Sequence, residues 1–303
     1  MKLIALLIGL LVERLATQLF HLRRLHKLDQ VIDGGFRLVS RASPVPVTLS
    51  VFLLAVALVA PVLLVMLWLD DAFYGFGYLL IAVVVLFFSL GPQDLGEQVD
   101  EYCAAVEAED ESSIQSSAKA LTETAATSDP DERIGEVEAA VCVQANNRLF
   151  AVIFWFVLFG PLGAWAYRVT DLIRRRAVFE LERQTDASQS HDDIVKAATA
   201  LHAVTAWIPA RLTAVGFALA GNFDGATAAW RADSAGEAAG IAEQNEELLA
   251  RIGVAALALH PLPEETTAER AVRGAVAARG LVLRLLGIWA VVIAAMTLYG
   301  ASL

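Results

Sequence analysis

Two cysteines, Cys103 and Cys142, are all that 303 residues hold, which excludes a disulfide framework. They match no metal-ligand spacing and read as isolated thiols. The five histidines (His21, His26, His191, His202 and His260) are dispersed, and neither HExxH nor CxxC occurs. His191-Asp192-Asp193 reads as an exposed loop or helix cap, so no metal and no cofactor is expected. GxxxxGK[ST] and GxSxG are also missing, which leaves no phosphate-binding loop and no nucleophile elbow. Charge is scarce, at 19% of residues against about 25% in soluble chains. Basic charge is scarcer still: 23 Lys and Arg face 34 Asp and Glu, a net charge of −11 that argues against nucleic-acid binding. No strand signal and no internal repeat appears.

Apolar residues are abundant. They make up 57% of the chain, with a mean hydropathy of +0.56, above the roughly 45–50% of soluble domains. A helix crosses a bilayer with about 20 apolar residues. Residues 47–69 are the clearest such segment, kinked by Pro61. Residues 73–90 follow so closely that the two must form an antiparallel hairpin. Residues 149–167 and 281–299 complete the strong set. Residues 3–20 and 207–220 are weaker, because each carries charge and the second is short. The start, MKLIALLIGLLVERL, imitates a signal peptide but is followed by no small-x-small cleavage site. It is read as a retained membrane helix end or an interfacial helix.

The hydrophilic parts differ in sign. Residues 13–45 are basic, with Arg14, Arg23, Arg24, Lys27, Arg37 and Arg41 against Glu13, Asp29 and Asp33. Residues 91–148 hold 14 acidic residues against Lys119, Arg133 and Arg148, so the whole net charge of −11 resides there. This segment is expected to be helical and outside the bilayer, with a break at Ser128-Asp129-Pro130. Residues 168–206 and 222–280 read as Ala-rich extramembrane helices, with a second break at His260-Pro261-Leu262-Pro263. The positive-inside rule places both 13–45 and Arg174-Arg175-Arg176 in the cytoplasm. Three simple spans would separate them, an odd number. The segment expected not to cross simply is 149–167, where Gly160-Pro161-Leu162-Gly163 can make a re-entrant hairpin.

Candidate site residues gather at these breaks. Arg168 and Asp171 lie three apart on one helix face and can pair. They form either the cap of a kinked membrane helix or a cleft for a phosphate or carboxylate. In AWIPARLTAV (206–215), Pro209 suits a first helical turn and predicts that a helix begins there. Arg211 then lies one turn inside an apolar run and needs a partner: Asp171, Glu13 or a ligand. Gly221-Asn222-Phe223-Asp224-Gly225 reads as a tight turn carrying polar groups. The candidate ligand-binding set is therefore Arg168, Asp171, Arg211, Glu13, Asn222 and Asp224, with Arg168 and Arg211 expected to face one polar cleft. Gly160, Pro161, Gly163 and Pro209 are the structural breaks.

The blocks NNRLFAVIFWFVLFGPLGAWAYRVTDL (146–172) and WIPARLTAVGFALAGNF (207–223), with VERL (12–15) and the terminal MTLYGASL, resemble the AmpE family. Those are inner-membrane proteins of Gram-negative bacteria associated with the regulation of inducible β-lactamase. That family is similar in turn to the CobD/CbiB adenosylcobinamide-phosphate synthases, which share the FW…GP.GA..YR and PARL blocks. The synthase pattern has Glu-Asn…Asp-Gly before its Phe-Trp and Asn-Thr-Leu-Asp after its Tyr-Arg. Here those places read Cys142-Val143-Gln144-Ala145-Asn146-Asn147-Arg148 and Val169-Thr170-Asp171-Leu172. Most carboxylates that would hold Mg²⁺ and position phosphates are not retained.

The expectation is an all-α polytopic helical membrane protein with four to six membrane segments, some broken or re-entrant, forming one domain over 1–303. The resemblance implies a multi-pass protein of the bacterial inner membrane, regulating β-lactamase induction and the response to cell-wall stress rather than acting as an enzyme. Its implied partners are the lipid bilayer, an anionic small molecule such as a cell-wall fragment or nucleotide, and a membrane protein. The alternative is a membrane enzyme of the adenosylcobinamide-phosphate synthase type.

Overall fold

The computed structural model describes residues 26–41, 45–69, 76–90, 95–183, 189–232, 240–260 and 262–299. Among these residues the fold is all-α, without strands. The helices are α1 (His26–Arg41), α2 (Val47–Leu69), α3 (Phe76–Ser89), α4 (Leu95–Glu107), α5 (Glu111–Thr122) and α6 (Pro130–Ala145). A single π-turn (Asn146–Phe150) leads to α7 (Ala151–Phe159), α8 (Pro161–Arg183), α9 (Gln189–Ala220), α10 (Phe223–Ala232), α11 (Ile241–Leu257) and α12 (Thr267–Leu298). The weak segment 3–20 and Glu13 lie outside the described residues.

Four helical runs among the described residues are long and apolar enough to cross a membrane: Val47–Trp68, Pro130–Phe159, His191–Ala220 and Thr267–Thr297. The shorter apolar helix Gly77–Ser89 joins them. This is a helical membrane protein. Most of the large side chains of α2 are exposed, including Phe52, Leu64 and Trp68, as a lipid-facing surface requires.

Local chemistry accounts for several helix ends. Asp129 caps α6 by accepting from the Asp131 amide, and Pro130 takes the first helical position, where no donor is needed. Thr266 and Glu269 form a reciprocal capping box at the start of α12. Asp110 caps α5, and the Ser113 and Ser112 groups donating to its carboxylate bring that group down to about 2.

The break expected within 149–167 is present. α7 ends at Phe159, Gly160 adopts φ 68°, and Pro161 begins α8. The left-handed residue is a glycine because a Cβ there is strained. The reversal is sharp. A Cβ on Gly163 would overlap the Trp155 carbonyl oxygen, although residues eight apart in a continuous helix stand about 12 Å apart. α8 therefore folds back along α7.

Pro209 corrects the expectation that a helix starts there. It sits inside α9, twenty residues past its first residue, Gln189. Proline cannot donate to the carbonyl four residues earlier. That carbonyl belongs to Thr205, and the indole Nε1–H of Trp155 donates to it at 3.0 Å. A similar device stands beside Pro61 in α2, where Trp165 Nε1–H donates to the Leu58 carbonyl at 3.1 Å. In both places a tryptophan fifty or more residues distant in sequence supplies a side-chain donor to a backbone carbonyl near the proline, so the helix continues.

The chain packs as two compact units. The first holds α1, α2, α3, α7, α8 and α9 up to Trp207. Its core gathers Ile32, Phe36, Val51, Val169, Ile173 and Ala198. The second holds α4–α6, the π-turn, the rest of α9 and α10–α12. Its core includes Val99, Tyr102, Leu121, Val141, Phe217, Ile252 and Leu285. Small residues bring helices close there: a Cβ on Gly253 would collide with the Cys142 side chain. Each fully buried Leu, Ile or Phe contributes about 1.5–3 kcal/mol.

Candidate functional site

In the first unit, three guanidinium groups converge on one carboxylate. Asp171 is fully buried on α8. Arg168 Nη1 donates to its Oδ2 at 2.5 Å, Arg175 Nε reaches both oxygens at 3.0 Å, and Arg174 Nη2 reaches Oδ1 at 3.2 Å. The spacing explains the convergence: positions 168, 174 and 175 lie three or four residues from 171 on the same helix. Burial alone would push the Asp171 carboxyl up. Arg175, Arg168 and Arg174 together outweigh it and hold the group well below the usual carboxylate range.

The surrounding groups are polar and ordered. Thr170 Oγ1 donates to the Tyr167 carbonyl at 2.7 Å and lies 3.4 Å from His202 Nδ1 and 3.2 Å from Thr205 Oγ1. The Tyr167 and His202 rings stand 5.3 Å apart. Farther along α8, Arg176 grips Asp33 of α1 through two bonds of 2.6 and 2.7 Å and also pairs with Glu180. This fork-to-fork contact fixes α1 against α8.

Of the other candidates, Arg211, Asn222 and Asp224 lie in the second unit. Arg211 Nη1 donates to Asn245 Oδ1 of α11 at 2.9 Å, a neutral partner that spacing along the chain does not reveal. The Asn222 side chain accepts from the Gly225 amide at 2.8 Å and so caps α10, and Asp224 is exposed in its first turn. Arg168 and Asp171 are thus brought together. Arg211, Asn222 and Asp224 belong to the other unit.

Sequence reasoning passed over a polar cluster at the π-turn of the second unit. Arg148 donates from Nη1 to Gln98 at 2.6 Å and from Nε to Gln144 at 2.9 Å. Asn146 donates to Asn147 at 3.1 Å and accepts from Thr213 Oγ1 at 3.0 Å. All six side chains are buried. The signal was available: amides and an arginine inside a membrane-grade helix carry a cost that a network must offset, and π-turns concentrate at functional sites. Thr213→Val keeps the shape and removes the donor to Asn146. It is expected to lower unfolding stability in detergent by about 1–2 kcal/mol, and an unchanged midpoint would show that the network carries no such weight. Among the described residues no group of three or more His, Cys, Asp or Glu is placed to hold a metal.

Comparison with known proteins agrees with the architecture. The family profile described as "Regulatory signalling modulator protein AmpE" matches residues 1–303. The cobalamin biosynthesis protein CobD of Stutzerimonas stutzeri (strain A1501) is 30% identical over 172 residues, covering 54% of this chain and 52% of that protein. The chain thus spans about half the length of this curated relative. No solved structure matches. With a family match over its whole length and four apolar helices able to cross a membrane, the chain belongs to the AmpE family of regulatory signalling modulator proteins.

Proposed function

We propose that this protein is an inner-membrane regulator of β-lactamase induction and the cell-wall stress response, and that it works by binding an anionic small molecule at the arginine cluster around Asp171. The observation that carries this reading is the convergence of Arg168, Arg174 and Arg175 on one buried carboxylate. Guanidinium forks match carboxylate and phosphate oxygens, and a ligand of that kind can compete with Asp171 for the same donors. Release of Arg175, the most exposed of the three at 22%, then changes the charge that α8 presents, and a membrane-protein partner reads the change. The regulatory role follows from the family. The bilayer is the medium in which the apolar helices operate.

The test is direct. Protein in nanodiscs is titrated with a muropeptide, a nucleotide and a cobinamide. Binding of an anion is expected, and Arg175→Ala is expected to weaken it by about 10-fold or more, the worth of a charge-assisted hydrogen bond, while folded yield stays unchanged. Equal affinity in the variant would overturn the site. The second reading, a synthase of the cobalamin type, is favoured by the 30% identity to CobD. Growth rescue of a synthase-deficient strain would establish it in place of the first.

A further inference from the structure

The short helix α10, FDGATAAWRA, presents an aromatic face that the second unit leaves uncovered. Phe223, Thr227 and Trp230 fall at i, i+4 and i+7, on one side of the helix. Phe223 is 56% exposed and Trp230 38%. The opposite side is committed to protein, since a Cβ on Gly225 would stand 2.8 Å from the Ala255 carbonyl oxygen of α11, and Ala226, at one edge of the aromatic face, is buried. Asp224 and Arg231 are exposed on a flank between the two.

This face directly follows an exposed apolar stripe in the chain. In α9, Ile208, Leu212, Val215 and Leu219 are exposed at spacings of four, three and four, the lipid-facing stripe of the candidate span His191–Ala220. Phe223 comes four residues after Leu219, just beyond the corner at Gly221-Asn222 where α9 ends and α10 begins. The corner between the helices is rigid. A Cβ on Gly221 would overlap the Ala256 carbonyl oxygen, the Asn222 amide donates to that same oxygen at 2.8 Å, and the Asn222 side chain caps α10.

From this adjacency we propose that α10 lies in the membrane–water interface, with Phe223 and Trp230 inserted among lipid headgroups and Asp224 and Arg231 toward water. Aromatic side chains prefer that layer, and a helix with one apolar and one charged side binds in its plane. The occupant of the face is therefore a lipid surface, and α10 anchors the second unit to it.

Spin labels report this. The native Cys103 and Cys142 are buried, so the unsubstituted chain serves as the unlabelled control. Labels at Phe223→Cys, Trp230→Cys, Asp224→Cys and Arg231→Cys are compared in vesicles of phosphatidylethanolamine and phosphatidylglycerol. The ratio of oxygen to nickel-chelate accessibility is expected to be severalfold higher at 223 and 230 than at 224 and 231. Equal ratios would place the face in water. Labels immobile and inaccessible to both reagents would place it against protein. Either result overturns the proposal. As an independent measure, Trp230→Phe is expected to reduce the fraction of fluorescence quenched by brominated lipid, and an unchanged fraction would also overturn it.

Discussion

Asp171→Asn is expected to destabilise the protein by about 3–5 kcal/mol, the usual consequence of removing one partner from a buried ion pair. The reason is the geometry around α8. The buried carboxylate accepts from Arg168, Arg174 and Arg175 within 2.5–3.2 Å. An asparagine keeps the volume but leaves three cations facing one another. Unfolding by SDS from mild detergent measures the loss. The pH dependence checks its origin. Because the folded-state carboxyl is held below its ordinary value, its contribution is complete above the ordinary carboxylate range and is lost progressively as pH falls from that range to the depressed folded value. Wild-type stability should therefore decline there and the Asn variant should not share that part of the decline. A loss of less than about 1 kcal/mol, the value of an exposed pair, would mean that the cluster does not organise the unit.

Gly163→Ala is expected to cost about 2–3 kcal/mol, at the upper part of the overpacking range. The added methyl would overlap the Trp155 carbonyl oxygen and come 2.8 Å from Phe159 Cβ. The first obstacle is backbone and cannot rotate away, so α8 must move off α7. Trp155 is also the donor that completes α9 at Pro209, so the displacement reaches a second helix. Gly135→Ala in α6 is the control. Nothing lies within 4 Å of its Cβ position, and it should stabilise by about 0.5–1 kcal/mol, the helical preference of Ala over Gly. Equal stability of the two variants would show that the close approach of α7 and α8 is not a constraint.

The sequence by itself determined that this is a helical membrane protein, where most helices lie and where the chain must turn. Long apolar runs have one solution in lipid, the helix, because every backbone group must be satisfied internally. Asp129-Pro130 and Gly160-Pro161 act over one or two residues, so their effects are legible locally. The Arg168–Asp171 pair was legible for the same reason, being three residues apart on one helix. What tertiary structure decided lies at long separation. Pro209 reads as a helix start, since a proline's cost is local, yet the donor that offsets it comes from Trp155, fifty residues from the Thr205 carbonyl it reaches. The Trp165 donor to Leu58, near Pro61, is 107 residues distant. Asn245 for Arg211, Gln98 for Arg148 and Thr213 for Asn146 are likewise set by which helices pack together. Periodicity fixes the face a residue occupies; only packing brings another helix's donor or acceptor to that face, and at a buried polar group that partner determines whether its cost is met.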